Sequence, residues 1–177
     1  MNILISNDDG VFAPGILAAK QAVEDLANVC VVAPDKNNSS VGRRLTLFKH
    51  LEINQCELED GSPAYSVSGS PADCVVVGAD YVMDAKPDLV ISGINQGVNI
   101  SCDITSSGTV CAAFEAVSLG IPAIAASLFM DPKTSYKQDE NGNWHMEYDF
   151  TLAKKVLHDI VSKIIDDGFP DDVDLFN

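Results

Sequence analysis

Four short stretches of the 177-residue chain carry oxygen-bearing side chains densely enough to do chemistry. Asp8 and Asp9 are adjacent and precede Gly10. Neighbouring carboxylates repel each other, so they suit either a solvated helix-entry turn or a hard divalent cation. Such a cation accepts carboxylate oxygens, relieves the repulsion and keeps waters for a substrate phosphate. Asn37-Asn38-Ser39-Ser40 is an ordinary polar loop unless it lies beside that pair. Ser92-Gly93-Ile94-Asn95-Gln96-Gly97-Val98-Asn99 joins two glycines, which permit tight turns, to the neutral amide oxygens of Asn95 and Asn99. Thr105-Ser106-Ser107-Gly108-Thr109 immediately precedes a helical pattern. One serine would cap that helix; the surplus hydroxyls, the glycine and the positive dipole end together read as an anion cradle.

Carboxylates holding a metal beside a helix N-terminus suit phosphoryl chemistry. Competing signatures are absent. The chain has no G-x-x-x-x-G-K-[ST], no G-x-G-x-x-G and no G-x-S-x-G, and His50, His145 and His158 are too scattered for a zinc site. The five cysteines (Cys30, Cys56, Cys74, Cys102, Cys111) form no C-x-x-C pair, which fits a reducing cytosol. A receiver-like signalling domain or a nucleotide-binding module without turnover also places an acidic pair after its first strand. The receiver design needs a further Asp and a Lys at later strand ends, whereas Lys86 precedes its strand. A haloacid-dehalogenase-like phosphatase needs Asp-x-Asp, and these two are adjacent.

The elements that must position these groups alternate between strand and helix. Apolar runs at Asn2–Ser6, Cys30–Ala33, Ala64–Val67, Asp88–Ser92 and Ile121–Ala126 read as strands, with a further strand beginning at Val173. Leu45–Leu47 and Leu51–Ile53 are expected to form a hairpin, and Gly93–Ser107 a long loop. Helices are expected from Pro14, from the Ser70-Pro71 cap to about Tyr81, from Gly108 to Leu119 and from Asp149. In the last, Leu152, Val156, Ile160 and Ile164 form the expected buried stripe. Asn141-Gly142 is a hairpin-turn signal. The alternation predicts one α/β domain with a mostly parallel sheet, whose ligands bind beyond the carboxyl ends of its strands.

Charge narrows the partners. Eleven basic against 26 acidic residues leave −15, which disfavours nucleic-acid polymers and anionic membranes. No apolar run is long enough to span a bilayer, and Asn2–Ser6 is too short for a signal h-region and lacks its basic start. A soluble, cytoplasmic protein is the expectation.

The quoted motifs, taken in order with Gly69-Ser70-Pro71-Ala72-Asp73-Cys74-Val75 and Ser107-Gly108-Thr109-Val110, resemble the SurE family of metal-dependent 5′-nucleotidases. The resemblance runs from residue 2 to about 126. It implies a Rossmann-like three-layer α/β fold over residues 1–177 with a small hairpin extension. It further implies one divalent cation, Mg²⁺ or Mn²⁺, on Asp8, Asp9, Ser39 and Asn95, with Asp8 and Asp9 catalytic. Asn37, Ser106, Ser107, Gly108 and Thr109 would contact the phosphate. The implied substrates are nucleoside 5′-monophosphates, extending to 3′-nucleotides, other phosphomonoesters and polyphosphate. Homodimers or homotetramers are implied as well, built on a C-terminal segment that family members carry beyond the part resembling Asp171–Asn177. This chain departs from the family pattern at Ser40 (usually Gly), Ser106 (commonly Tyr), Cys111 and Ala116.

Overall fold

The computed structural model describes residues 1–177, the side chains of Pro132 and Thr134 apart. In chain order the elements are β1 (Asn2–Ser6), α1 (Pro14–Val23), β2 (Asn28–Pro34), β3 (Ile53–Glu57), β4 (Pro63–Val67), α2 (Pro71–Val77) and β5 (Leu89–Gln96). They continue with α3 (Gly108–Ser118), β6 (Ala123–Leu128), α4 (Pro132–Ser135), β7 (Tyr136–Gln138), β8 (Trp144–Met146), α5 (Thr151–Asp167) and β9 (Leu175–Phe176). A π-helical turn, Gly78–Val82, extends α2, and a 3₁₀ turn, Ser101–Thr105, leads into α3.

Seven strands form one sheet in the order β3-β4-β2-β1-β5-β6-β9, parallel throughout except for β3. The buried apolar runs predict this, because a parallel sheet is covered on both faces. Ile3, Ile5, Val31 and Ile91 pack against α1 and α5, whereas Leu4, Val32 and Val90 pack against α2 and α3. The expected three-layer α/β architecture is therefore present, and β7 and β8 add the small hairpin across the Asp139–Gly142 turn. No helix among the described residues is long and apolar enough to cross a membrane.

Three local expectations need correction. Residues 45–52 contain no strand; β3 begins at Ile53 and pairs with β4 across the turn at 58–62. The reason is that Thr46 is tied to α2, its N–H and Oγ1 both donating to Asp73, so no partner strand reaches it. Residues Gly93–Gln96 remain in β5 instead of starting a loop. In α5 the buried residues are Leu157, Val161 and Ile164, while Leu152 is 71% exposed and Val156 47%. The helix leans on α1 along the neighbouring stripe. Val156 and Ile160 instead line an apolar groove of about 650 Å³ together with Ile94 and Phe176. Two adjacent apolar stripes satisfy the same 3.6-residue period, so periodicity alone could not choose between them.

Candidate active site

β1 is the topological switch point, since its neighbours β2 and β5 lie on opposite sides. The loops after these three strands therefore diverge and leave a crevice at their carboxyl ends. Asn7 closes the turn after β1: its Nδ2 donates to the Gly10 carbonyl at 2.9 Å, and its Oδ1 accepts from Gly10 N at 3.2 Å. This fixes the directions of Asp8 and Asp9. The Asp8 carbonyl accepts from Asn38 N at 2.7 Å, which brings the loop after β2 alongside.

Asp8 is 4% exposed, and its Oδ1 accepts from Thr109 Oγ1 at 2.6 Å. Burial pushes its carboxyl above the usual range. The Thr109 hydroxyl and the N–H groups of Gly108 and Thr109 at the start of α3 pull the other way. A Cβ on residue 108 would stand 2.6 Å from Asp8 Cβ, so only glycine lets the helix start approach this carboxylate. Asp9 is half-buried and weakly held. Its Oδ1 accepts from Asn37 Nδ2 and its Oδ2 from Gln96 N, both at 3.4 Å. Burial, then the charge of Asp8, pushes its carboxyl up to about 6.

Asn95 reaches the site through a bulge. β5 pairs Ser92 with Ala125 and then Asn95 with Ser127, so Gly93 and Ile94 together oppose Ala126. A Cβ on Gly93, whose φ is +135°, would lie 2.3 Å from the Ala126 carbonyl oxygen. The extra residue turns Ile94 into the α1/α5 core and Asn95 toward the face that carries Ser6. Asn95 Nδ2 donates to the Gly97 carbonyl at 2.7 Å, leaving its Oδ1 for another partner. Asn37 Oδ1 accepts from Ser39 N at 2.9 Å, so Asn37 links the Ser39 loop to Asp9.

The hydroxyls before α3 have partners within the protein. Ser107 Oγ caps the helix by accepting from Val110 N at 3.1 Å, Ser106 Oγ donates to the Asp103 carbonyl at 3.2 Å, and Thr109 holds Asp8. Of these three hydroxyl protons, only that of Ser107 keeps its freedom to meet a ligand. Sequence reasoning missed the clasp that holds the loop at residues 36–44. Arg43 Nε donates to buried Glu115 at 2.7 Å and its Nη2 donates to Ser118, while Gly42 N donates to the Ser106 carbonyl at 2.9 Å. An acid amid the apolar residues of α3 was the available signal. Lys86, by contrast, sits at the opposite end of the sheet on the Leu119 carbonyl, so it offers nothing to a receiver-like chemistry.

The site could hold a hard cation. Among the described residues no Lys or Arg pairs with Asp8 or Asp9, so two crowded negative charges stand uncompensated. No cluster of three acidic, His or Cys side chains occurs among the described residues. The remaining coordination would thus fall to neutral oxygens, such as Asn95 Oδ1 and Ser39, and to water, as suits Mg²⁺ or Mn²⁺. Beneath the site the hydroxyls of Ser6 and Ser92, register partners on β1 and β5, are buried without a hydrogen-bond partner.

Comparison with known proteins gives the family of the chain. A sequence model of the family described as survival protein SurE matches residues 3–177. The chain is 49% identical to the 5′-nucleotidase SurE of Methanobrevibacter smithii, aligning over 100% of this chain and 67% of that protein. It is 44% identical to the 5′-nucleotidase SurE of Methanosphaera stadtmanae, over 100% of this chain and 68% of that one. The crystal structure of the SurE protein from Aquifex aeolicus superposes with a TM-score of 0.80 at 40% identity, over 97% of this chain and 63% of that chain. The chain thus spans about two thirds of the length of the relatives it matches.

Proposed function

Because the chain belongs to the SurE family, we propose that it is a divalent-metal-dependent phosphatase acting on nucleoside 5′-monophosphates. The observation that supports this most is the uncompensated Asp8–Asp9 pair lying against the start of α3 at the sheet's switch point. Two crowded carboxylates would repel a phosphate; beside a cation and a helix N-terminus they serve one.

When bound, Mg²⁺ or Mn²⁺ neutralises phosphoryl oxygens and acidifies water. Asp8, Asp9, Asn95 and Ser39 would hold it. The chain's own groups do the rest. Asp8, fixed by Thr109, acts as a rigid anchor, while Asp9, more exposed and loosely held, orients the attacking water and takes its proton on a carboxylate oxygen. The Ser107 hydroxyl and the Asn37 amide would receive the phosphoryl oxygens at the positive end of α3, whose Gly108 and Thr109 N–H groups support Asp8, with Ser106 at the rim. They stabilise charge as the P–O ester bond breaks, and the departing nucleoside oxygen gains a proton from water, which Asp9 later restores as it returns to the carboxylate. The buried floor formed by β1 and β5 keeps bulk water from one side.

The test is phosphate release from a panel of nucleoside monophosphates, other phosphomonoesters and polyphosphate, with Mn²⁺, with Mg²⁺ and with EDTA. Metal-dependent release that EDTA abolishes is expected, strongest on 5′-monophosphates; metal-independent release would sink the reading. Assembly into homodimers or homotetramers belongs to the same proposal, supported by the exposed apolar groove along α5 and checked by light scattering. A cytoplasmic location is supported by five free cysteines.

A further inference from the structure

Beside the Asp9 site lies a cavity of about 650 Å³ that the proposed chemistry leaves unused. It opens beyond the carboxyl ends of β5 and β6, and its walls include Leu128, Phe129, Ser135, Lys137, Glu147 and Tyr148. It is coupled to the site through the sheet. Gln96, whose N–H donates to Asp9, is the register partner of Leu128, and Gly97 N donates to the Leu128 carbonyl at 3.1 Å. The cavity therefore begins one strand spacing from the Gln96 backbone that contacts the carboxylate.

Two aromatic rings give it shape. Tyr148 stacks on buried Phe150 with ring centroids 6.0 Å apart, so the core fixes its ring from behind. Its phenol is pushed up by burial first and then by the negative charge of Asp9, which puts the hydroxyl end within electrostatic reach of that carboxylate. Phe129 is 72% exposed, an uncovered ring on the cavity wall.

The polar lining selects against charge. Glu147 and Asp149 outweigh Lys137, so a second phosphate group would meet net repulsion here, whereas a neutral ligand with hydroxyl and N–H donors would find acceptors. A flat aromatic ligand would find the Phe129 ring, and stacking of bases on aromatic side chains tolerates base identity.

We propose that this cavity holds the nucleoside half of the substrate, with Phe129 as the stacking platform and Tyr148 as the positioning residue that sets the nucleoside against the Asp9 site. The inference rests on the nucleotide-phosphatase reading and sharpens it. Discrimination comes from a neutral aromatic group attached to one phosphate, and chains of phosphates are disfavoured.

The experiment compares phosphate release from a nucleoside 5′-monophosphate and from ribose 5-phosphate with saturating Mn²⁺, in the wild-type chain, Phe129→Ala and Tyr148→Phe. In Phe129→Ala the kcat/KM ratio of nucleotide to ribose 5-phosphate should fall roughly tenfold, through KM for the nucleotide. Tyr148→Phe should shift the same ratio by a smaller factor. Tyr81→Ala, removing an equally exposed ring (79%) at the far end of α2, should leave the ratio in place. A ratio unmoved in Phe129→Ala, or equal losses on both substrates, overturns the proposal. Calorimetric titration of adenosine and uridine into the metal-free chain separates this inference from the reading beneath it. Binding that Phe129→Ala removes upholds the cavity even if no phosphate is released, whereas absence of binding overturns it even if phosphate is released.

Discussion

Asp73 at the start of α2 and Asp8 at the end of β1 are buried to the same 4%, yet their surroundings differ. Asp73 accepts from Thr46 N at 2.8 Å, Thr46 Oγ1 at 2.7 Å and Ser70 N at 2.8 Å, and its own N–H donates to Ser70 Oγ at 3.1 Å. This reciprocal capping box surrounds the charge with matched donors and ties the 44–46 segment to the helix. Asp8 accepts from the Thr109 hydroxyl and is supported by the N–H groups of Gly108 and Thr109, whereas its neighbour Asp9 has two contacts, both at 3.4 Å, so the unmet capacity lies with Asp9. Burial is common to both regions; unmet acceptor capacity beside a second negative charge is found only at the end of β1. It is that unmet capacity, and not burial, that sets the proposed ligand site apart from the structural carboxylate Asp73.

The largest expected effects would break this comparison if it is wrong. Asp8→Asn should lower metal-dependent phosphate release by at least about 10²-fold, the scale of losing one preorganised electrostatic group. Stability without metal should hold or rise, because a buried charge has been removed. Asp73→Asn should do the reverse. Disrupting three buried acceptor bonds should cost roughly 2–4 kcal/mol in a urea titration. Activity per folded molecule should stay within a few-fold. A stable Asp73→Asn chain as inactive as Asp8→Asn would end the distinction.

The next effect is a pH slope that only one region should show. Asp9 titrates near 6 in the folded chain against an ordinary 3.8, so the folded form binds the proton more tightly than the unfolded form. The stability linked to that proton is fully present below about pH 4 and is lost as pH rises through about 6. The loss at pH 7 is on the order of 1–2 kcal/mol once screening by water on the exposed side of Asp9 is allowed for. Asp9→Asn removes the slope. Urea midpoints in EDTA should therefore coincide with wild type near pH 4 and exceed it at pH 7, and Mn²⁺ should close the gap for wild type. A gap that does not vary with pH would remove Asp9 as its source.

Much of this arrangement was legible from residue order. The apolar run before Asp8-Asp9 placed that pair just past the end of β1, and the run to Ser92 identified β5, although β5 continues to Gln96; the parallel-sheet rule brought the two together. The Ser70-Pro71 cap and the Asn141-Gly142 turn stand where their local chemistry predicts. What escaped depended on long-range contacts. The bulge at Gly93–Ile94 is defined by its register against β6, and the 45–52 segment stays irregular because Asp73, far along the chain, takes up Thr46. The surplus hydroxyls before α3 are visible in the residue order, but the partners that engage Ser106, Ser107 and Thr109 belong to the folded chain.

The smallest effect compares one substitution in the two regions. Ser40 lies in the loop beside Asp9 with φ of +59°, a left-handed conformation that costs a residue with a Cβ about 1 kcal/mol. Glycine removes that strain but gives the unfolded chain more freedom, a loss of about 0.4–1 kcal/mol. Ser40→Gly should thus raise stability by no more than about 0.5 kcal/mol. The loop keeps its Arg43–Glu115 and Gly42–Ser106 anchors, so phosphate release should stay within about twofold. Ser70 has φ of −78°, carries no such strain, and uses its hydroxyl both to cap α2 and to donate to the Arg44 carbonyl. Ser70→Gly should therefore cost about 1 kcal/mol, a few tenths from the cap and the rest from the lost bond to the Arg44 carbonyl. Opposite signs in paired thermal melts would show strain concentrated at the loop beside Asp9 and satisfaction at the Asp73 cap. Equal losses would mean that Ser40 earns its conformation through a side-chain contact, and the two regions would then be alike in this respect.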